Sequence, residues 1–140
     1  MAKHSNSMWL TCHYEQPDNT VSDIAVQNMA DGEWQDFELG FHQPAGFLIF
    51  TYAILNCQHM YMRLNATERG LVLESADACI ETLADDDWSL QKLHIRFEVR
   101  LKSGSPSPED IEYISNRMQH CPVSMNLKEV PDSRVLLNFV

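Results

Sequence analysis

The chain has 140 residues, the usual length of one folded unit, and carries a net charge of −10, with 20 acidic against 10 basic residues. That balance argues against a nucleic-acid partner, because phosphate binding rests on clustered lysine and arginine. The N-terminal stretch MAKHSNSMWLTCHY lacks the apolar run of a signal peptide. The most apolar stretch, Ala45 to Leu55, is about half of what spans a bilayer. The expectation is one domain over residues 1–140, cytoplasmic, with no membrane partner.

From Met8 to Phe41 the pattern is strand-like. MWLTCHY, VSDIAVQN and DFELGF alternate with the turn-rich stretches EQPDN and MADGEW, which predicts a three-strand meander. HQPAG closes it. Ala45 to about Ala66 then has no Gly or Pro after Gly46, and Gly70 stands where a helix C-cap belongs. This helix is apolar on nearly every side, so it needs cover from a sheet or from a second subunit.

LVLESADACIETLA is compatible with a strand, and Asp85 to Asp87 form a solvated turn. KLHIRFEVRLK alternates without a break: Leu93, Ile95, Phe97, Val99 and Leu101 face one way, and the charged residues and His94 face the other. In SPEDIEYISNRMQHC, Ser107 is the expected N-cap, with Pro108 at the first helical position and Asp110 three residues after the cap. Ile111, Ile114, Met118 and Cys121 follow at helical spacing, and Pro122 ends the pattern. Glu109, Glu112 and Asn116 fall on the solvent side. SRVLLNFV supplies a last strand.

Four cysteines in a chain read as cytosolic leave catalysis, metal binding or inert packing as roles. Taken one at a time, Cys12, Cys57, Cys79 and Cys121 all read most simply as small buried hydrophobes. A zinc ion shared by Cys57 and His59 is disfavoured, because residues two apart on a helix point about 200° apart. No cofactor is expected. The histidines show no obvious partner, and NAT at Asn65 carries no weight as a glycosylation signal.

Three stretches carry a family resemblance: YAILNCQHMYMRL at the end of the long helix, ERGLVLES leading into the next strand, and SPEDIEYISNRMQHCPVS. Together they resemble the OsmC-like family of osmotically inducible and organic-hydroperoxide-resistance proteins. The resemblance implies an α+β OsmC-like fold, built as an intertwined homodimer whose long central helices pack on antiparallel sheets. It also implies a thiol peroxidase. Cys57 would attack a small organic hydroperoxide, Cys121 would close a disulfide with it, and an external dithiol would reduce the pair; Cys12 and Cys79 would take no part. Phe47, Phe50, Ile54 and Met60 would form an apolar substrate wall.

The peroxidases of that family activate the thiol with an arginine from the N-terminal strands and a glutamate near the start of the long helix. Here Phe47 stands at the glutamate's place, and no arginine precedes Arg63. Lys3, His13, His42 or an arginine of the second subunit are the candidate substitutes. Burial alone would raise the pKa of Cys57, whereas a peroxidatic cysteine reacts as thiolate. The alternative is a catalytically weak or silent member that binds a small apolar or thiol ligand at the dimer interface.

Overall fold

The computed structural model describes residues 4–38 and 46–140. In chain order it contains β1 (His4–Glu15), β2 (Thr20–Ala30), β3 (Glu33–Asp36), α1 (Gly46–Glu68), β4 (Val72–Ala84), β5 (Leu90–Ser103), α2 (Pro108–Met118), a 3₁₀ turn at Ser124–Asn126 and β6 (Asp132–Phe139). The strands form a six-stranded sheet in the order β3-β2-β1-β4-β5-β6. Every neighbouring pair is antiparallel except β5 and β6, which run parallel. A parallel pair needs a crossover, and α2 supplies it.

The N-terminal meander is present, but its third strand lies earlier than DFELGF. Asp31 and Gly32 adopt positive φ angles of 52° and 80°, the geometry of a two-residue hairpin turn. The Asp-Gly pair inside MADGEW therefore makes the whole turn, and Glu33 to Asp36 pair back onto β2. Phe37 still donates its N–H to Val26 O at 2.9 Å. Leu39 to Phe41 lie outside the described residues, as do Ala45, Lys3 and His42.

Alternation along β5 is as the sequence predicts: Leu93, Ile95, Phe97 and Val99 are buried, and Arg96, Glu98 and Arg100 are exposed. They join Met8, Leu10 and Cys12 of β1, Ala76, Ala78 and Ile80 of β4, Ile54, Leu55 and Met62 of α1, and Ile114 and Met118 of α2. Removing a side chain such as Phe97 from water stabilises by roughly 2–3 kcal/mol. Both helices thus cover one face of the sheet.

The helix ends are built as the sequence implies. At the end of α1 the N–H of Gly70 bonds Thr67 O and that of Leu71 bonds Ala66 O, with Gly70 at φ +75°. This is a Schellman cap, which the absence of a Cβ makes cheap. At α2 the Ser107 hydroxyl accepts from Asp110 N–H while the Asp110 carboxylate accepts from Ser107 N–H. Regular helix stops at Met118, however, so Cys121 lies in the turn beyond it. The turn still folds inward, because Cys121 N–H bonds Met118 O and the side chain is wholly buried.

The long helix α1 has one open side and one tied end. Its covered side packs on the sheet and α2, whereas Phe50, Ala53, Asn56, Met60 and Leu64 remain exposed. The tie is a latch at the C-terminal end. Asn19, in the β1–β2 turn and only 1% exposed, donates to Thr67 Oγ1 (2.9 Å) and Leu71 O (3.0 Å) and accepts from Leu73 N–H (2.9 Å). One carboxamide joins that turn to the end of α1 and the start of β4.

Candidate functional site

Cys57, Gln58 and His59 occupy successive positions of α1, about 100° apart around its axis. Their side chains part accordingly. Cys57 lies at the margin between the covered and uncovered sides, Gln58 reaches toward α2, and His59 turns onto the sheet. The divergence expected of Cys57 and His59 is thus visible in their partners. Among the described residues, no three His, Cys, Asp or Glu side chains gather as metal ligands.

The fold brings the side chains of Cys57 and Cys121 near each other, and both are free thiols. Cys57 is 8% exposed and Cys121 wholly buried. Burial pushes the Cys57 thiol up to about 11; the neighbouring Cys121 thiol adds to the rise, and the backbone at Val123 opposes it. Among the described residues, no lysine or arginine contributes to this balance. His13, one candidate substitute, is exposed on β1 and lies 3.7 Å from Asp23 of the neighbouring β2.

Cys121 is framed by groups that sequence reasoning missed. Gln58 Nε2 donates to Met118 O at 2.8 Å and lies 3.4 Å from Cys121 Sγ, and it also bonds Ser124 Oγ. Ser124 N–H donates to Cys121 Sγ at 3.3 Å, and the Ser124 hydroxyl lies 3.1 Å from the same sulfur. Gln58 is wholly buried. An amide within a largely apolar helix was the available signal, since a buried carboxamide needs partners, although Asn56 and Asn65 share that type on the same helix.

Beside Cys57 runs an open groove of about 480 Å³ lined by Ile49, Tyr52, Ala53, Asn56, Met60 and Val123. Of the residues read as a substrate wall, Met60 borders it. Ile54 is fully buried and belongs to the core instead. Phe47 and Phe50 face each other at 5.8 Å, with Phe47 also against Trp88, and Phe50 borders a separate cleft beside Trp88. They sit at the first turn of α1, whereas Cys57 is three turns along.

A second buried polar cluster lies where α1 meets the sheet. Tyr14 OH and His59 Nε2 are 2.7 Å apart, and the Cys12 thiol lies near Tyr14 with its own hydrogen bond to His13 O at 3.6 Å. Burial, helped by the Arg63 guanidinium, lowers His59 to about 4, so the ring is neutral. Burial raises Cys12 to about 11 and lifts Tyr14 far above its ordinary range. Cys12 is 0% exposed.

A six-stranded sheet with both helices on one face, and a cysteine of the long helix near one beyond the second helix, describe an α+β thiol-bearing fold. The family described as OsmC-like protein matches residues 43–135. The chain belongs to that family. Its fold is similar to an OsmC-like protein from Mycoplasma pneumoniae, with a TM-score of 0.54 at 13% identity over 93% of this chain and 94% of the other. It is also similar to an OsmC-like hydroperoxide resistance protein from Jannaschia sp. CCS1, with a TM-score of 0.57 at 12% identity over 89% of this chain and 87% of that one. No curated protein matches the sequence. Among the described residues, no helix is long and apolar enough to cross a membrane.

Proposed function

We propose that the protein reduces small organic hydroperoxides in oxidative-stress defence, using Cys57 and Cys121 as a redox pair. The observation that carries this reading is the proximity of two free cysteines from distant parts of the chain, one of them bordering an apolar groove. The Cys57 thiolate attacks the O–O bond, releasing the alcohol and becoming a sulfenic acid. Cys121 then displaces water from that sulfur and closes a disulfide, which an external dithiol reduces by exchange.

The obstacle is the proton on Cys57. With a pKa of about 11, only about one part in ten thousand is thiolate at pH 7. We infer that a second copy of the chain covers the exposed strip from Phe50 to Leu64 and brings a cation to the thiol, giving an intertwined homodimer. This strip is interrupted only by Asn56 among its exposed members, and an apolar strip of that kind marks an interaction surface. Light scattering at micromolar concentration should give a dimer, and Leu64→Arg should shift it toward monomer. A monomeric native protein would remove the source of the cation.

The raised Cys57 favours a second reading, a catalytically silent protein whose groove holds a small apolar or thiol ligand. Peroxide consumption with cumene hydroperoxide and a lipoyl-type dithiol separates the two. A peroxidase loses at least a hundredfold in rate on Cys57→Ser, while tryptic mass spectrometry of the oxidised native protein finds a Cys57–Cys121 peptide pair and little oxidised Cys12. Equal, near-background rates in both proteins would leave the binding reading.

A further inference from the structure

The two cysteines differ in what surrounds each sulfur. Cys57 borders the open groove, whereas Cys121 is wholly buried and takes no part in that groove's lining. Three donor groups converge on Cys121 Sγ: Gln58 Nε2 at 3.4 Å, Ser124 N–H at 3.3 Å and the Ser124 hydroxyl at 3.1 Å. Their orientation is set in advance. Met118 O, which can only accept, engages one N–H of Gln58 at 2.8 Å, so the other is turned toward Ser124 Oγ and Cys121 Sγ. Because Ser124 Oγ accepts from Gln58, its own proton is left for the sulfur, and the hydroxyl turns to it once that sulfur carries charge and no longer donates. The Ser124 N–H is held at the start of the 3₁₀ turn. Buried donors aimed at an atom where negative charge develops need no rearrangement when the charge arrives. Among the described residues, no amide or hydroxyl side chain donates to Cys57 Sγ.

We propose that Gln58 and Ser124 form a thiolate cradle that gives the disulfide a direction: the reductant attacks Cys57 Sγ, and Cys121 is the leaving group. This rests on the redox pair proposed above, though not on the oxidant that closes it. The incoming thiolate forms a bond to Cys57 Sγ as the Cys57–Cys121 S–S bond breaks, and the electron pair of that bond stays on Cys121 Sγ. Charge thus passes from the reductant to the sulfur that has donors waiting for it, and a better-stabilised leaving thiolate departs faster. The second thiolate of a dithiol then attacks the reductant's own sulfur in the mixed disulfide, releasing Cys57 as thiolate and the reductant as a cyclic disulfide.

To test this without relying on peroxidase activity, the disulfide is made in the full chain with diamide and cleaved with 2-mercaptoethanol. Acid quenching at early times, alkylation of free thiols with N-ethylmaleimide in denaturant and tryptic mass spectrometry locate the two halves of the broken bond. Mercaptoethanol should be found on Cys57 and maleimide on Cys121, with the reverse pattern about tenfold rarer or less. Ser124→Ala should slow cleavage about fivefold, as the loss of one hydrogen bond to a charged group, and Ser124→Thr, which keeps the hydroxyl, should restore it. Gln58→Met should slow cleavage at least as much; should it fail to fold, the two Ser124 variants carry the test. A merely structural role predicts the opposite, because a loosened turn exposes Cys121, speeds cleavage and moves the adduct onto it. Adduct on Cys121 in the native protein, or cleavage that is not slowed in Ser124→Ala, would overturn the proposal. No crosslink with diamide would overturn the redox pair itself, and the cradle with it.

Discussion

Two buried polar clusters hang from neighbouring residues of one helix, yet they are built to opposite ends. Around His59 every group is closed in: Tyr14 caps the ring nitrogen, Phe97 stacks beside it at 6.4 Å, and Cys12 has no exposed surface. Around Cys57 and Gln58 the packing is incomplete. A groove opens on one side, a cavity on the other, and one carboxamide oxygen is unmet. The Cys12 thiol is therefore sealed in the core, whereas the Cys57 thiol borders a groove. Burial raises both thiols to about 11, so access and partners, more than proton affinity, distinguish them.

The largest test of that contrast is alkylation against pH. Only thiolate reacts, so the rate at Cys57 in an isolated protomer should rise about a thousandfold between pH 7 and pH 10, with its midpoint near pH 11. Cys12 should stay unmodified until the protein unfolds. A plateau below pH 8 in the native assembly would reveal the cation assigned to the second subunit.

Next comes the acid stability of the closed cluster. His59 titrates near 4 when folded against an ordinary 6.5, so the unfolded chain takes the proton first as pH falls. Its contribution is full above pH 6.5, declines between 6.5 and 4, and is lost below. The size is about 3 kcal/mol. Urea melts at pH 7 and pH 4 should show the native protein losing about that much more than His59→Gln, whose amide does not titrate. An identical pH dependence would mean that the ring is not held neutral.

The smallest effect concerns α2, which backs the cysteine end of the comparison. Ser107→Ala removes the N-cap and should cost about 1 kcal/mol in urea unfolding. It should speed hydrogen exchange at Cys121 to Ser124 and leave His59 unchanged.

Much of this contrast is legible in the residues themselves. The alternation of β5 decides its buried face, and the capping pair Ser107 and Asp110 with Pro108 decides where α2 begins. Family resemblance points to Cys57 and Cys121, and the fold sets the two free thiols near each other. The third strand falls elsewhere than the pattern suggests because Asp31 and Gly32 suffice for a turn that the whole of MADGEW would otherwise fill. Gln58 and Ser124 escape sequence reasoning, because their significance depends on a meeting of α1 with the turn after α2 that no local pattern encodes. Ile54 suits a pocket wall by residue type, but type does not say which side of a helix faces outward.

The Asn19 latch has a consequence for how the molecule opens. Its three bonds join the β1–β2 turn to the end of α1 and the start of β4, segments that meet only through long chain separations. Such contacts require loop closure first, so the latch forms late in folding and releases early in sub-global opening. The amide proton of Leu73, whose acceptor is the Asn19 side chain, is then a reporter of one motion. Its exchange with solvent measures how often the β1–β2 turn lifts from the end of α1 while the sheet stays paired.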